Sequence, residues 1–393
     1  MCVAADAAMM TELLGKSREE LREFCVALGE PAFRGAQIYH ALYSERKFDV
    51  VLITNLPVVL RARLSKEARI TLPEVRQRFA SEDGSVRYLF GLTAAREEEE
   101  FNTEDTEGAE NAEKSGREKA GRLGKPASVE AVFMPSEGRQ TICVSTQAGC
   151  AVDCHFCLTA QLGLIRNLTA GEILAQVLLP LEEHKAQLAP QTNIVLMGQG
   201  EPLLNFEPVM AAVRIMLDPE GVGISPKHVT LSTSGIVPGI ERLAQEKVRP
   251  KLAISLNASN DEQRDALMPI NKKYPLSALM NACKEYPLRT WEHLTFEYVI
   301  LGGMNDAAED ARRVVRLVAP LKSVKVNLIP WNPGELSYRE SSPEGIEEFR
   351  RILVERGVPA FVRYSRGRDV MAACGQLALL QIDGAPLSVV SPQ

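Results

Sequence analysis

The sequence predicts an α/β fold, an open partial (β/α)6 barrel that follows a small helical domain. From about residue 128 onward, short β-branched runs alternate with helical stretches. Repeated units of this kind form parallel strands joined by right-handed crossovers, and six units are too few to close an eight-stranded barrel. The unusual polar and cysteine-rich motifs lie at or just after predicted strand ends, where folds of this kind carry their chemistry.

Residues 1–75 form the predicted helical domain. Its clearest helix begins at SREELREFCVALGEP, where Ser17 and Glu20 have the spacing of a capping box. Arginines and lysines spread over residues 34–69 give the domain a mildly basic character. A short β region, residues 76–127, follows the helical domain, and VRYLFGLT is its most strand-like run.

Residues 96–125 predict a disordered acidic insertion within this β region. The segment has sixteen charged residues, ten acidic and six basic, and its only large apolar residues are Phe101 and Leu123. Such a composition cannot bury enough apolar surface to offset the entropy lost on ordering. We therefore expect a solvated tract that takes no part in catalysis.

Residues 128–385 form the predicted barrel domain, and residues 386–393 form a tail. Six strands are predicted to begin at residues 141, 193, 228, 251, 294 and 325. Two of the helices that follow these strands have clear start signals: Thr169 and Glu172 form a second capping box, and Pro343 lies just inside a helix start.

Composition indicates a globular protein of a reducing compartment. The chain has 393 residues, 45% of them hydrophobic, and a net charge of −6, which argues against a protein that simply coats nucleic acid. No apolar run is long enough to span a membrane, and the start does not resemble a signal peptide. Its eight cysteines are therefore expected to be free, catalytic or metal-bound in the cytoplasm.

The run CAVDCHFC places Cys150, Cys154 and Cys157 in a C-x3-C-x2-C pattern after the first barrel strand. Three thiolates can bind three irons of a 4Fe–4S cluster, whose usual complement is four cysteines, so the fourth iron is left for a small molecule. The alternative is a zinc site, which needs a fourth ligand such as His155 or Cys143. Cysteine spacing alone leaves both classes of metal site open.

Several longer motifs together resemble one family, the radical S-adenosylmethionine (SAM) RNA adenine-C2 methyltransferases. They are QTICVSTQAGCAVDCHFC, MGQGEPLLN, LSTSG, NLIPWNPG and VRYSRGRDVMAACGQL, with GEPAFRGAQIYHALY and ITNLPVVLRARL in the helical domain. The resemblance covers most of the chain. It implies one 4Fe–4S cluster on the three cysteines, two SAM molecules per turnover, and an N-terminal domain of RNA-binding type.

The resemblance also implies a mechanism. Adenine C2 is too electron-poor to attack a sulfonium methyl group, so the family uses a methylene radical on a cysteine. Cys374 matches the thiol that carries the methyl group. Cys143 matches the thiol that releases the product, which it does by forming a disulfide with Cys374. Glu130 matches the base that removes the C2 proton. The implied substrates are 23S ribosomal RNA and transfer RNA, and we expect a monomer that receives electrons from a donor such as flavodoxin.

The implied SAM-binding residues follow the strand ends: Gly200, Glu201, Ser232, Ser255, Leu256, Asn257 and Asn332. Two positions depart from the family pattern, since Asn257 stands where histidine is common and Gln199 where methionine is common. Asparagine can form hydrogen bonds but cannot titrate, which puts a proton-handling role there in doubt. Candidates for RNA phosphate contacts are the helical domain and the segment around Arg363, Arg366 and Arg368.

Simpler interpretations exist for the proposed catalytic residues. Cys143 fits a buried strand cysteine, Cys374 a packing residue at a helix start, and Glu130 an exposed strand carboxylate. Two rival functions also remain at this stage. One is methylation of adenine C8 by an enzyme of the same superfamily, and the other is a non-catalytic, zinc-stabilised RNA-binding protein.

Overall fold

The structure is a computed structural model that describes residues 10–92, 127–332, 336–373 and 375–377. The predicted acidic insertion, Cys374 and the predicted tail lie outside the described residues.

Three helices form the N-terminal domain, together with a two-stranded parallel sheet. The helices are α1 (Arg18–Ala27), α2 (Phe33–Tyr43) and α3 (Val58–Glu67), and the strands are β1 (Thr11–Glu12) and β2 (Ala68–Arg69). The predicted capping box at the start of α1 is confirmed, because Ser17 accepts a hydrogen bond from the backbone of Glu20 and the Glu20 side chain accepts one from the backbone of Ser17.

A ten-stranded sheet dominates the rest of the molecule. Its strands lie in the order β14-β13-β12-β11-β10-β9-β6-β5-β4-β3, and a separate hairpin joins β7 to β8. The bounds are β3 (Glu74–Ala80), β4 (Val86–Gly91), β5 (Ser128–Ser136), β6 (Arg139–Cys143), β7 (Gln147–Gly149), β8 (Leu164–Asn167), β9 (Gln191–Leu196), β10 (Val229–Thr233), β11 (Lys251–Ser255), β12 (Leu294–Ile300), β13 (Val324–Pro330) and β14 (Ala360–Val362).

The sheet is parallel from β6 through β9 to β14 and antiparallel from β3 to β6. The six predicted barrel strands are all present, and the described residues form an open sheet, which confirms the predicted fold class. Two features go beyond the prediction. A seventh parallel strand, β14, has only three residues and so lacks a clear sequence signal, and the three strands β3–β5 extend the same sheet on its other side.

Further helices follow, and most of them cover one face of this sheet. Their bounds are α4 (Leu158–Gln161), α5 (Ala170–Glu183), α6 (Phe206–Leu217), α7 (Val237–Gln245), α8 (Asp261–Leu267), α9 (Leu276–Glu285), α10 (Ala308–Val318) and α11 (Pro343–Glu355). The predicted capping box of α5 and the proline at the start of α11 are confirmed. Apolar side chains of the strands, such as Ile142, Ile194 and Phe296, pack with the helices in the main core.

The opposite, inner face of the sheet is the concave side of the partial barrel. Successive side chains of a strand alternate between faces, so the neighbours of the core residues point inward. The inner residues of the parallel strands are largely polar, such as Asn193, Ser232, Ser255 and Asn327. An inner face of this kind can hold a polar ligand, whereas the outer face holds the molecule together.

The chain after β14 crosses the open side of the barrel. Arg366 donates hydrogen bonds to the Asp83 side chain at 3.2 Å and to the Asp83 carbonyl at 2.7 Å, and also contacts the carbonyl of Pro135. Ser81 donates to Asp369 at 2.6 Å. We call residues 366–369 the strap, because they connect the β14 side of the sheet to the β3–β4 turn.

The described residues include no helix long and apolar enough to cross a bilayer.

Candidate active site

Glu130 and Cys143 lie on the inner face, on adjacent strands. Val132 pairs directly with Cys143 across β5 and β6, and directly paired residues point to the same face of a sheet. Glu130 lies two residues before Val132 on the same strand and therefore shares that face. The two sequence-predicted side chains are thus neighbours on the wall of the barrel, although 13 positions separate them in the chain.

Glu130 is buried, so its interpretation as an exposed strand carboxylate is wrong. Its Oε1 atom accepts a hydrogen bond from Arg87 at 2.8 Å, in an ion pair that is 2–3% exposed on both sides. Burial raises the pKa of Glu130 to about 7, and the charge of Arg87 opposes that rise. The Oε2 atom has no hydrogen-bond partner among the described residues. A buried carboxylate with one open oxygen and a pKa near neutrality has the properties of a general base.

Cys143 belongs to a small buried cluster with Val132, Ala372 and Leu377. The last two flank position 374, which itself lies outside the described residues. The backbone around them is fixed to the cysteine loop, residues 150–157, and to the short helix after it. Leu158 donates a backbone hydrogen bond to the Gly375 carbonyl at 2.8 Å, and the Thr159 hydroxyl donates to the Leu377 carbonyl at 2.6 Å.

The cysteine loop presents Cys150, Cys154 and Cys157, each partly exposed. Burial raises the pKa of Cys150 to about 12, and the nearby Cys157 and Glu201 raise it further. Burial also raises the pKa of Cys154 well above its usual range, with added contributions from Cys157 and Cys150. The three thiols are therefore close enough to act on one another electrostatically, and Glu201 lies within the same range.

The cysteine loop and the suggested fourth zinc ligands lie in different surroundings. Among the described residues, no three His, Cys, Asp or Glu side chains are arranged to hold one metal ion together. In a cubane each cysteine binds a different iron, so its ligands do not converge on one point. The suggested fourth zinc ligands have other surroundings, since His155 bonds the Ala266 carbonyl through Nδ1 at 2.7 Å and Cys143 packs in its own apolar cluster.

Gly200 and Glu201 form a tight turn after β9. Gly200 has a φ of +96°, and a Cβ atom there would lie 2.5 Å from the Cβ of Gln147, so only glycine fits. The carboxylate of Glu201 accepts backbone hydrogen bonds from Leu203 at 3.0 Å and Ser234 at 2.7 Å. Burial raises the pKa of Glu201, whereas these backbone hydrogen bonds lower it. Glu201 therefore joins the loops after β9 and β10 beside the cysteines.

Buried polar atoms without partners lie on the loops of the same rim. They are Thr146 Oγ1 after β6 and Gln199 Oε1 after β9. Within the described part of the chain these atoms form no hydrogen bond, which is costly for a buried polar group. A polar ligand such as SAM would satisfy them, so the rim fits such a cofactor.

Ser232 and Ser255 meet on the inner face, with their hydroxyl oxygens 3.3 Å apart. Leu256 is different, because its side chain is fully buried in the main core and only its backbone can face a ligand. Asn332 donates to the Ser365 hydroxyl at 2.9 Å and lines an open cleft of about 210 Å³ with Phe156, Trp331 and Gly375. This cleft links the cysteine loop to the segment around position 374.

Asn257 occupies a backbone position that favours asparagine. Its φ is +55°, in the left-handed region, which asparagine tolerates better than most residues. Its Oδ1 atom accepts from the backbone of Val299 at 2.8 Å, and its Nδ2 atom lies 3.3 Å from the sulfur of Met268. The side chain is thus occupied in shaping the strand end, which matches a residue that does not handle protons.

Sequence analysis missed two side chains that organise this site, Arg87 and Arg264. Arg264 lies on α8 with no exposed surface, and it donates to the carbonyls of Ser234 at 2.6 Å, Ser255 at 3.2 Å and Leu256 at 3.2 Å. The same helix holds the cysteine loop, because the Leu267 carbonyl accepts from the His155 backbone at 3.0 Å. Neither arginine has a local sequence signal, since their partners come from other strands and loops.

Comparison with known families agrees with this architecture. The Radical SAM superfamily model matches residues 144–317, which contain the cysteine loop and β9–β12. The model described as the ribosomal RNA large subunit methyltransferase N-terminal domain matches residues 11–70, which contain α1–α3.

Individual proteins are similar over nearly the whole chain. The probable dual-specificity RNA methyltransferase RlmN of Koribacter versatilis is 47% identical and covers 89% of this chain and 96% of its own length. The dual-specificity RNA methyltransferase RlmN of Anaeromyxobacter dehalogenans is 42% identical, with 93% and 91% covered. The crystal structure of a radical SAM methyltransferase from Sphaerobacter thermophilus superimposes with a TM-score of 0.80 at 39% identity, covering 94% of this chain and 99% of that one.

The family also implies the cofactors for which the rim and the cysteine loop are suited, a 4Fe–4S cluster and SAM. On the strength of its two domain matches and of these relatives, the chain belongs to the RlmN family of radical SAM RNA methyltransferases.

Proposed function

We propose that this enzyme methylates C2 of adenine in 23S ribosomal RNA and in transfer RNA, with a methyl group carried on Cys374. The observation that carries the proposal is the position of Cys143. It lies in one buried cluster with Ala372 and Leu377, which are two and three positions from residue 374, and it shares the inner face with Glu130 on the adjacent strand.

The proposal gives a separate task to each of three residues, Cys374, Glu130 and Cys143. Cys374 bears the methyl group, which would lose one hydrogen atom to the radical that bound SAM supplies. The methylene carbon that results would bond to C2 and the adduct would lose one electron, so that base and sulfur are temporarily linked. Glu130 removes the proton from C2 through its open Oε2 atom. Cys143 then attacks the sulfur of Cys374, which releases methyladenine and leaves a Cys143–Cys374 disulfide for cellular reductants. The apolar cluster around Cys143 keeps water from competing with this attack.

The proposal also assigns residues to the two cofactors, the 4Fe–4S cluster and SAM. Cys150, Cys154 and Cys157 would hold one 4Fe–4S cluster, which when bound supplies the electron that cleaves SAM. Gly200 and Glu201 would receive the amino group of SAM, with Ser232, Ser255 and Asn332 around the rest of it. Asn257 and Leu256 contribute shape and backbone atoms. Two SAM molecules are used per turnover, one for the methyl group and one for the radical.

We further propose that the enzyme is a cytoplasmic monomer and that it takes its electrons from a flavodoxin-type donor. In this proposal residues 1–75 form an RNA-binding domain, residues 128–385 form the catalytic barrel, and the β region lies between them in the chain.

The test of the proposed methylation is nucleoside mass spectrometry of RNA incubated with anaerobically reconstituted enzyme, SAM and a reductant. We expect 2-methyladenosine in both RNA types. Detection of 8-methyladenosine instead would favour the C8 rival, and a zinc-containing, colourless protein without activity would favour the non-catalytic one.

A further inference from the structure

Two lysines and an arginine occupy the inner face at a distance from the cofactor rim. Lys251 is the first residue of β11, and Lys325 is the second residue of β13. Lys325 pairs with Thr295 of β12, and Thr295 pairs with Ala253, two residues after Lys251. Both lysines therefore project from the inner face, on strands about 10 Å apart.

Arg363 continues the same face on the other side of Lys325. It follows β14 by one residue, and its backbone donates to the Leu328 carbonyl at 2.8 Å. Phe361 pairs with Asn327, so Arg363, two positions later, points to the same side. Its Nε atom donates to Asn327 Oδ1 at 3.3 Å, which holds the guanidinium against the inner wall.

The positive charge of this set is not balanced. Among the described residues, none of the three cations forms an ion pair with a carboxylate, whereas the neighbouring Arg366 and Arg368 pair with Asp83 and Glu340. The inner carboxylate nearby, Glu297, accepts a hydrogen bond from Asn327 at 2.9 Å and is buried. A second carboxylate, Glu292, acts on Lys251 but is already paired with Arg249 and Arg289. The three cations therefore leave an excess of positive charge on a concave wall.

Electrostatics agree with this imbalance. Burial lowers the pKa of Lys251, and the charge of Lys325 lowers it further, while Glu292 opposes the shift. Burial likewise lowers the pKa of Lys325, with a further contribution from Arg363 and opposition from Glu297. Each cation is thus destabilised by the next one, and an anion placed between them would relieve the repulsion.

We propose that Lys251, Lys325 and Arg363 bind backbone phosphates of the substrate RNA. A strand rises about 3.3 Å per residue, so Lys251 lies roughly 13 Å from Ser255 at the rim, which is too far for an anion of SAM bound there. An RNA strand that enters the open barrel can span that length. Its target base would then lie at the rim near Cys143 while its backbone contacts the cations. This inference rests on the proposed RNA methylation.

The test compares charge-neutralised variants of the cluster-loaded enzyme in RNA binding. Lys251→Gln and Lys325→Gln are combined, with Arg363→Gln added in a second variant. The control is Lys284→Gln, an exposed lysine of the outer helix α9. Affinity for a fluorescent transfer RNA transcript is measured by anisotropy at several salt concentrations, and iron content and SAM affinity are measured in parallel.

We expect the double variant to bind the RNA more weakly and its plot of log affinity against log salt to be shallower by about 2, one for each lost phosphate contact. The control should match the parent, and iron content and SAM affinity should not change. An unchanged salt slope would overturn the inference, and so would a loss of SAM affinity with normal RNA binding, which would indicate a cofactor site. If the parent enzyme itself neither binds nor methylates RNA, the proposed function fails instead.

Discussion

At the scale of single residues, burial of the Glu130 carboxyl sets the pKa on which its proposed role as a base depends. The carboxyl of Glu130 is buried in the wall of the barrel, and burial disfavours its ionised form. The hydrogen bond from Arg87, at 2.8 Å, and the charge of Arg87 stabilise that form. Arg87 is itself held by the ring of Phe79, 4.1 Å from its guanidinium carbon. This arrangement explains how an ordinary acid acquires a pKa at which it can remove a proton at neutral pH.

A pH profile tests the role of Glu130. Because burial raises its pKa to about 7, the residue is mostly protonated at pH 6 and mostly ionised at pH 8. A base acts in its ionised form, so release of methylated RNA in single-turnover experiments should accelerate as the pH rises through 7. Glu130→Gln should lose this pH dependence and about 10²-fold or more of the rate. A variant that keeps both the rate and the pH dependence would exclude Glu130 as the base.

Substitution of the two thiols tests their order of action. Cys143→Ala removes the group that attacks the sulfur of Cys374, so RNA should accumulate as a covalent adduct on the protein. Cys374→Ala removes the carrier and should give no adduct. Denaturing gels with labelled RNA distinguish the two, and Cys25→Ala, which alters a buried thiol of the N-terminal core, serves as the control. Full activity of Cys143→Ala would contradict the assignment of Cys143 as the thiol that releases the product.

At the scale of structural elements, α8 connects the two halves of the cofactor site. Through Arg264 it holds the ends of β10 and β11, and through Leu267 it holds the cysteine loop. The guanidinium is fully buried and satisfies backbone carbonyls that would otherwise lack donors. The helix thus fixes the ends of β10 and β11, where we propose that SAM binds, relative to the cysteine loop.

Removal of this guanidinium should damage the SAM site before it damages the fold as a whole. Arg264→Met leaves buried carbonyls without partners and should lower the free energy of unfolding by about 3 kcal/mol. SAM affinity should fall as well. Arg264→Lys, which keeps the charge and part of the bonding, should recover some of both. Calorimetric SAM binding and thermal unfolding measure the effects, and unchanged SAM affinity in the methionine variant would contradict the role of α8.

Sequence patterns predicted the elements better than the contacts between them. The capping boxes at Ser17 and Thr169 and the alternation of the six strands are local signals, and the structure contains them as expected. The pairing of Arg87 with Glu130 joins residues 43 positions apart, and that of Arg366 with Asp83 joins residues 283 positions apart. Such pairs depend on sheet register and barrel curvature, which no local pattern encodes.

At the scale of the whole molecule, the strap completes an otherwise open barrel. It joins opposite sides of the sheet through Arg366 and then continues toward position 374 and the Cys143 cluster. Although burial opposes it, hydrogen bonds from Ser85, Gly367 and Arg366 hold the pKa of Asp83 well below its ordinary value. The contribution of this contact to stability is therefore present at neutral pH and is lost only in strong acid.

Loss of the hydrogen bonds that hold the strap should impair methyl transfer but should leave the iron–sulfur cluster in place. Arg366→Ala loses its bonds to Asp83 and Pro135, so the segment around position 374 should no longer be held near Cys143. We expect a several-fold or larger loss of methylation at normal iron content. Arg350→Ala, which breaks only an exposed pair with Glu347 on α11, is the matched control. Equal activities of the two variants would show that the strap does not position the carrier segment.

In the proposed reaction, the methyl group reaches RNA through the sulfur of Cys374. The direct measurement uses SAM with a trideuterated methyl group and mass spectrometry of the modified nucleoside. A cysteine-bound methylene route predicts 2-methyladenosine with two deuterium atoms in its methyl group, and the third deuterium in 5′-deoxyadenosine. A product that retains all three deuterium atoms would contradict it.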